Sequence, residues 1–223
     1  MVSLVPDDKG NLKFGEINIF LQAAIDRFFE IQECDKETEL LQIKYGIKEK
    51  GEKGVVFSIS DKDYLIKSSF IDRKREKAIF QSIIMIVVFF EALINEIGVV
   101  ELGSTYYKKH LDKLSILSKW EIVLTLIYGN SLDRSSQQYG YLQDVIKIRN
   151  TLVHHKTKFI QDGTDIHEVA NLFERTSDYF TIISNLFYSL EPIISDIKRI
   201  TNNFDDYLFY EIKVEIGRIY NHK

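Results

Sequence analysis

The sequence predicts an all-α protein, and three observations favour this fold class. Only two prolines and eleven glycines occur in 223 residues, which is few for a fold built from many strands and turns. Apolar residues recur at helical spacing over several long stretches. The content of 45% apolar and 13% aromatic residues is enough to bury a full core. We therefore expect a helical bundle that forms one domain, with or without an appendage.

The first element that this pattern predicts is an amphipathic helix. It begins at Ile17, and its apolar positions follow the i, i+3, i+4, i+7 spacing through Ile31. The helix either breaks near Asp35 and resumes to Tyr45 or continues without a break. Glycines interleaved with lysines and glutamates then indicate a solvated loop from Gly46 to Gly54.

The next stretch has two interpretations. Alternation of apolar and polar residues favours a small β-hairpin near residues 55–68. The alternative is a helix capped by Ser60, with Asp63 three residues later. On this basis residues 1–72 are expected to form an N-terminal helix plus a loop or hairpin appendage. Residues 73–223 are expected to form the main helical bundle, continuous with it.

A central helix is predicted from about Arg75 to Ile97. Its apolar residues occupy every side, which is typical of a helix buried on most faces. Glu91 and Asn95 lie four residues apart on it, so they share a face and are expected to be buried polar groups that need partners. Downstream, Ser118 and Glu121 have the spacing of a capping box, and Gly129 is placed to close the helix that they open.

Residues 138–156 predict a further helix with Arg149 on its apolar face. At about 100° per residue, five apolar residues fall within roughly 60° of Arg149. An interior guanidinium needs an anion, either a carboxylate or a phosphate. Glu91 is an interior carboxylate with the same need, so we predict that it pairs with Arg149. Asn150 and His154, four apart, share a flank of this helix.

The charge pattern predicts a local rather than a global contact with phosphates. Net charge is −4, so the chain lacks the overall positive charge of a nonspecific nucleic-acid binder. Residues 145–161, however, contain no acidic residue. The basic residues of this stretch, which we take as candidates for contacting RNA alongside Arg149 and His154, are Lys147, His155, Lys156 and Lys158.

Several other classes of protein are not indicated. The single cysteine, Cys34, provides neither an intrachain disulfide nor a ligand pair for zinc. No phosphate-binding glycine loop, nucleophilic serine motif or metal-ligand spacing is found, so we expect no metal and no cofactor. The longest apolar run, from Ile83 to Phe90, is shorter than the ~18–20 residues of a membrane span, and the start lacks a signal-peptide pattern. We expect a cytoplasmic protein that does not bind membranes.

The segment Arg149-Asn150-Thr151-Leu152-Val153-His154 resembles the R-polar-x3-H motif of the HEPN superfamily, whose small all-helical domains occur in toxins, phage-defence proteins and RNA-processing factors. Phe90 to Asn95 and Lys119-Trp120 precede it in an order similar to that of the family. The resemblance covers roughly residues 74–158. In family members that are modified on a tyrosine, this tyrosine lies two residues after the histidine. This chain has Lys156 at that position, so regulation by modification of that tyrosine is not expected.

This resemblance implies a metal-independent RNA endonuclease whose paired protomers share one cleft. Arg149, Asn150 and His154 would be its catalytic residues, supported by Glu91 and Asn95, in a toxin or phage-defence role. The expected partners are RNA, a second copy of the chain and an antitoxin or other regulatory protein. DNA is not expected as a partner. One alternative is a non-catalytic HEPN-like module that binds a nucleotide, RNA or a partner protein. Another is a structural helical dimer in which Arg149 only completes an interior ion pair and His154 is an ordinary boundary histidine.

Overall fold

A computed structural model describes residues 3–6, 12–15, 17–47, 62–154, 178–202 and 204–221 of the chain, and these are predominantly helical. The helices are α1 (Ile17–Lys44), α2 (Lys62–Leu102), α3 (Ser104–His110), α4 (Ile116–Tyr128), α5 (Gln137–His154), α6 (178–188), α7 (Leu190–Ile200) and α8 (Asp206–Asn221). Two short strands, β1 (Ser3–Pro6) and β2 (Leu12–Gly15), pair antiparallel. The all-α class is confirmed for the body of the chain, and the short β1–β2 hairpin was not predicted.

The prediction of a hairpin near residues 55–68 is wrong for residues 62–68, which are the part of that stretch that the structure describes. Residues 62–68 form the first turns of α2, with Asp63 in the first of them, as in the helical alternative. Residues 55–61, including the proposed cap Ser60, lie outside the described residues. Packing explains the helix, since Tyr64 is buried and its ring lies 5.5 Å from that of Tyr45 beyond the end of α1, whereas Leu65 and Ile66 are exposed.

α1 and α2 form a long antiparallel pair. α1 continues through Asp35 without the break that the sequence allowed. Towards the end of α1, the Nε of Arg75 donates a hydrogen bond to Asp35 at 2.5 Å, and nearer its start the hydroxyl of Ser82 donates to the carbonyl of Ala24 at 2.9 Å. With 41 residues, α2 spans about 60 Å. The boundary drawn between residues 72 and 73 therefore falls within one continuous helix.

The C-terminal half of α2 is the centre of the core. Its buried residues include Ile83, Val87, Phe90, Leu93 and Ile94, and α3, α4 and α5 all pack against it. α8 packs on α1, and α7 on α8 and α5. By length and composition α2 could cross a membrane, a test that core helices of soluble proteins also pass, and half of its most apolar window is buried within the protein.

The ends of α4 determine where Lys119 lies. Its N-cap is Ser115, whose hydroxyl accepts a hydrogen bond from the amide of Ser118 at 3.2 Å, so the helix begins one turn before the predicted capping box. Gly129 closes α4 with φ of 68°, as predicted. Lys119 is therefore within the first full turn, facing α2.

Candidate functional site

A single carboxylate lies between two cations where α2, α4 and α5 meet. The Oε1 of Glu91 is 3.4 Å from the Nζ of Lys119, and its Oε2 is 3.9 Å from the Nη2 of Arg149. The ion pair predicted between Glu91 and Arg149 is therefore present, but Lys119 is the nearer partner. We call Glu91, Asn95, Lys119 and Arg149 the Glu91 cluster.

The two cations of the Glu91 cluster differ in burial. The side chain of Lys119 is 2% exposed, that of Arg149 24% and that of Glu91 31%. A charge removed from water is costly unless it is paired, so Lys119 is the residue that most needs Glu91. Arg149 lies on the apolar face of α5, as predicted, but close to where that face leaves the core, because Val153 one turn later is 54% exposed.

Asn95 holds Lys119 from the other side. Its Oδ1 accepts hydrogen bonds from the Nζ of Lys119 at 3.0 Å and from the hydroxyl of Tyr107 at 2.6 Å. Burial, with the nearby carboxylates of Asp112 and Glu91, raises the pKa of Tyr107, so its hydroxyl stays a neutral donor. The prediction that Asn95 needs hydrogen-bond partners is thereby confirmed, but Asn95 and Glu91 are half-buried and not fully buried as predicted, because the meeting point of α2, α4 and α5 is open on one side.

Gly98 allows Tyr107 to reach Asn95. A Cβ at this position of α2 would lie 2.2 Å from the Cε2 of Tyr107, well inside van der Waals contact. The ring of Tyr107 therefore lies directly against the backbone of α2, three residues after Asn95. Any larger residue at position 98 would displace the donor that orients the Asn95 amide.

Arg149 has hydrogen-bonding capacity that its described neighbours do not use. Its Nη1 donates to the Oδ1 of Asn150 at 3.1 Å, and its buried Nε has no acceptor among the residues that the structure describes. A guanidinium has five N–H donors, and the carboxylate paired with this one is shared with Lys119. The Glu91 cluster thus has two cations and one anion, and it can accept an additional anion at its exposed side.

The other predicted site residues are only partly described. Asn150 is exposed beside Arg149, and Lys147, also exposed, lies 3.2 Å from Asp144. α5 remains helical through His154, so positions 149 and 154 are about 140° apart around the helix axis. The side chain of His154, and the whole of His155, Lys156 and Lys158, lie outside the described residues.

Lys119 and Tyr107 are the members of this site that the sequence analysis missed. A helical wheel of α4 could have found Lys119, because it lies between the buried Ile116, Trp120 and Val123 on the apolar face. The same reasoning places Arg149 on the apolar face of α5. Tyr107 had no comparable signal, since its position depends on how α3 turns back onto α2.

A second polar region lies between α1 and α8, which we call the α1–α8 groove. The amides of Asn18 and Gln22 donate to Glu211 and Glu215 at 2.6 and 2.8 Å. Arg218 lies 2.9 Å from Glu215 and 2.5 Å from Asp26. The groove encloses about 250 Å³ and is lined by Asn18, Gln22, Glu211 and Glu215 together with Tyr207, Tyr210 and Val214. With Arg218 and Asp26, which do not line the cavity, this region combines one cation with three carboxylates.

No protein-family model, no curated protein and no solved structure matches this chain. The resemblance to the HEPN superfamily therefore stays a prediction from the motif residues. Within the described parts of the chain, no three His, Cys, Asp or Glu side chains are grouped closely enough to hold a metal ion.

Proposed function

We propose that the protein is a metal-independent endoribonuclease of the HEPN type, acting in the cytoplasm in a toxin or phage-defence role. The observation that supports this most is the partial exposure and incomplete ion pairing of Arg149. Its side chain is partly exposed, and the guanidinium shares its carboxylate partner Glu91 with Lys119, so the charge of Arg149 is only partly compensated within the Glu91 cluster. Such a group is suited to binding a phosphate.

The proposed reaction uses the 2′-hydroxyl of the RNA itself. The 2′-oxygen attacks the adjacent phosphorus, and the bond from phosphorus to the 5′-oxygen breaks. His154 takes the proton of the 2′-hydroxyl and, once protonated, gives a proton to the leaving 5′-oxygen, since an imidazole exchanges protons near neutral pH. Arg149 stabilises the charge that develops on the phosphoryl oxygens, and Asn150 orients the ligand or His154. The products are a 2′,3′-cyclic phosphate and a 5′-hydroxyl.

The proposal includes a two-fold dimer. Positions 149 and 154 are about 140° apart around α5, so we infer that one straight helix does not bring both residues to the same phosphate. A second copy facing the first would supply the missing group, and an isologous contact would create two equivalent sites. The exposed Val153 beside Arg149 gives α5 an apolar residue at the position where such a contact would form. A regulatory partner such as an antitoxin would act by covering this cleft.

The test is to incubate RNA with purified protein in EDTA and to map the ends of the products. We expect cleavage with 2′,3′-cyclic phosphate ends, lost in His154→Ala and retained in His110→Ala, a matched change at an exposed histidine of α3. Cleavage only after a divalent ion is added would contradict the mechanism. RNA binding without cleavage under both conditions would instead favour the non-catalytic module.

The dimer is tested by mixing two inactive variants. Arg149→Ala and His154→Ala chains, unfolded and refolded together, should form hybrids with one intact cross-chain site. With random pairing, half of the dimers are hybrids with one site of two, so about a quarter of the wild-type activity should return. No recovery from two well-folded variants, or a monomer at micromolar concentration, would overturn the shared cleft.

A further inference from the structure

Lys119 is a buried cation that competes with Arg149 for the same carboxylate. It lies 0.5 Å nearer to Glu91 than Arg149 does, at 3.4 Å against 3.9 Å. It is also anchored by Asn95, whose Oδ1 is in turn held by Tyr107. Glu91 thereby divides its two oxygens between α4 and α5, with the shorter contact to α4.

The competition has an electrostatic consequence. With Lys119 in place the two cations and one carboxylate leave an excess of one positive charge. Without it, Glu91 and Arg149 would form an ordinary neutral pair, and Glu91 would be free to approach the guanidinium closely. We propose that Lys119 is a positioning residue, which keeps Glu91 from pairing closely with Arg149. The positive charge of Arg149 then stays uncompensated, and its N–H donors stay available to a phosphodiester. This inference rests on the function proposed above, because it assumes that Arg149 binds the phosphate of RNA.

Packing alone does not require a cation at position 119. A methionine has a similar length and an apolar end suited to a site that is 2% exposed. Glu91 would keep Arg149 as partner and its access to water, and Asn95 would keep the hydrogen bond from Tyr107. Replacing a buried charge by an apolar residue of similar size is often neutral for stability when its partner is not left unpaired. What Lys119 adds is therefore its charge.

The experiment measures binding of a 2′-O-methyl RNA oligonucleotide, which has no free 2′-hydroxyl and is not cleaved. Lys119→Met should weaken binding about tenfold, the size expected for one unit charge close to a phosphate in a partly buried site. The slope of log K against log salt should fall in magnitude by about 0.7 for each phosphate that the variant no longer neutralises. The matched control is Lys74→Met, which removes an equally charged side chain paired with Glu37 at 3.2 Å, outside the Glu91 cluster, and should change neither quantity.

A second variant separates charge from shape. Glu91→Gln combined with Lys119→Met restores the single positive excess, and it should return binding to within about threefold of wild type. A structural role for Lys119 predicts no recovery, so failure of the double variant would overturn the inference. Equal binding by Lys119→Met and wild type would overturn it too. Absence of RNA binding by the wild-type protein would instead overturn the proposed function, and this inference with it.

Discussion

The Glu91 cluster and the α1–α8 groove are built from similar parts with opposite charge balance. Each region has two polar residues four positions apart on one helix, facing a neighbouring helix. These are Glu91 and Asn95 on α2 in the cluster, and Glu211 and Glu215 on α8 in the groove. In the cluster, two cations share one carboxylate. In and beside the groove, the carboxylates of Glu211, Glu215 and Asp26 accompany Arg218. The cluster therefore keeps an uncompensated positive charge, whereas the groove region keeps an uncompensated negative charge.

The comparison shows that net charge does not predict the sign of a local site. The chain is acidic overall, with a net charge of −4, and the α1–α8 groove follows that bias. The Glu91 cluster reverses it with only two basic side chains, because one of them is buried where water cannot screen it. We therefore expect a phosphate to bind at the cluster in preference to the groove.

The largest expected effect comes from removing the arginine of each region. Arg149→Ala should reduce RNA cleavage in EDTA by about a hundredfold or more, because charge on the transition state loses its stabilising donor. Arg218→Ala removes a comparable guanidinium from the groove and should leave the cleavage rate within about twofold, since it lies outside the site. Initial rates of folded variants make the comparison. Equal loss in both would mean that Arg149 acts through the fold.

Removing a carboxylate from each region should affect stability to different extents. Glu91→Ala leaves Lys119 buried and without its ion-pair partner, and it should lower the free energy of unfolding by about 3 kcal/mol. Glu215→Ala should cost about 1 kcal/mol or less, because the more exposed Arg218 keeps Asp26. Denaturant titration with circular dichroism gives both values. A Glu91→Ala protein as stable as wild type would show that Lys119 does not depend on this pair.

A smaller effect than the loss of Glu91 should come from a methyl group added to a glycine of α2 or of α8. Gly98→Ala places a Cβ against the ring of Tyr107 and should cost about 1–3 kcal/mol by forcing that ring away from Asn95. Gly217, on α8, has open space around the same position. Gly217→Ala should therefore stabilise the protein by about 0.5–1 kcal/mol through helix propensity. Thermal melting of both variants would distinguish the tight approach from the open one, and two equal shifts would contradict the difference.

The helical architecture could be predicted because apolar residues recur along the sequence with the period of an α-helix. α1, α2 and α8 bury apolar residues at helical spacing, and Gly129 closes α4 for a local reason that the sequence contains. The predicted start of α4 is one turn late because both Ser115 and Ser118 can cap a helix, and it is the hydroxyl of Ser115 that accepts the capping hydrogen bond. The alternation before α2 favoured a strand over the helical alternative, and the packing of Tyr64 against Tyr45 accompanies the helix that residues 62–68 form.

The site could be predicted in part for the same reason. The pairing of Glu91 with Arg149 follows from two interior charges that each need a partner, and it is present. The degree of burial could not be read from one helix, since it depends on how far α5 extends beyond the core. For this reason Arg149 is nearer to the surface than its helical wheel indicates, and Lys119 is the deeper cation.

The central position of α2 makes the protein sensitive to insertions and deletions as well as to substitutions. Ser82 fixes this helix to α1, while Glu91, Asn95 and Gly98 meet α4, α5 and α3 on later turns. One residue inserted between positions 82 and 91 would rotate all later turns by about 100° relative to Ser82 and shift them by about 1.5 Å. Every side chain would keep its chemistry, yet Glu91 would no longer face Lys119. The spacing between these two positions is therefore as much a part of the site as the residues themselves.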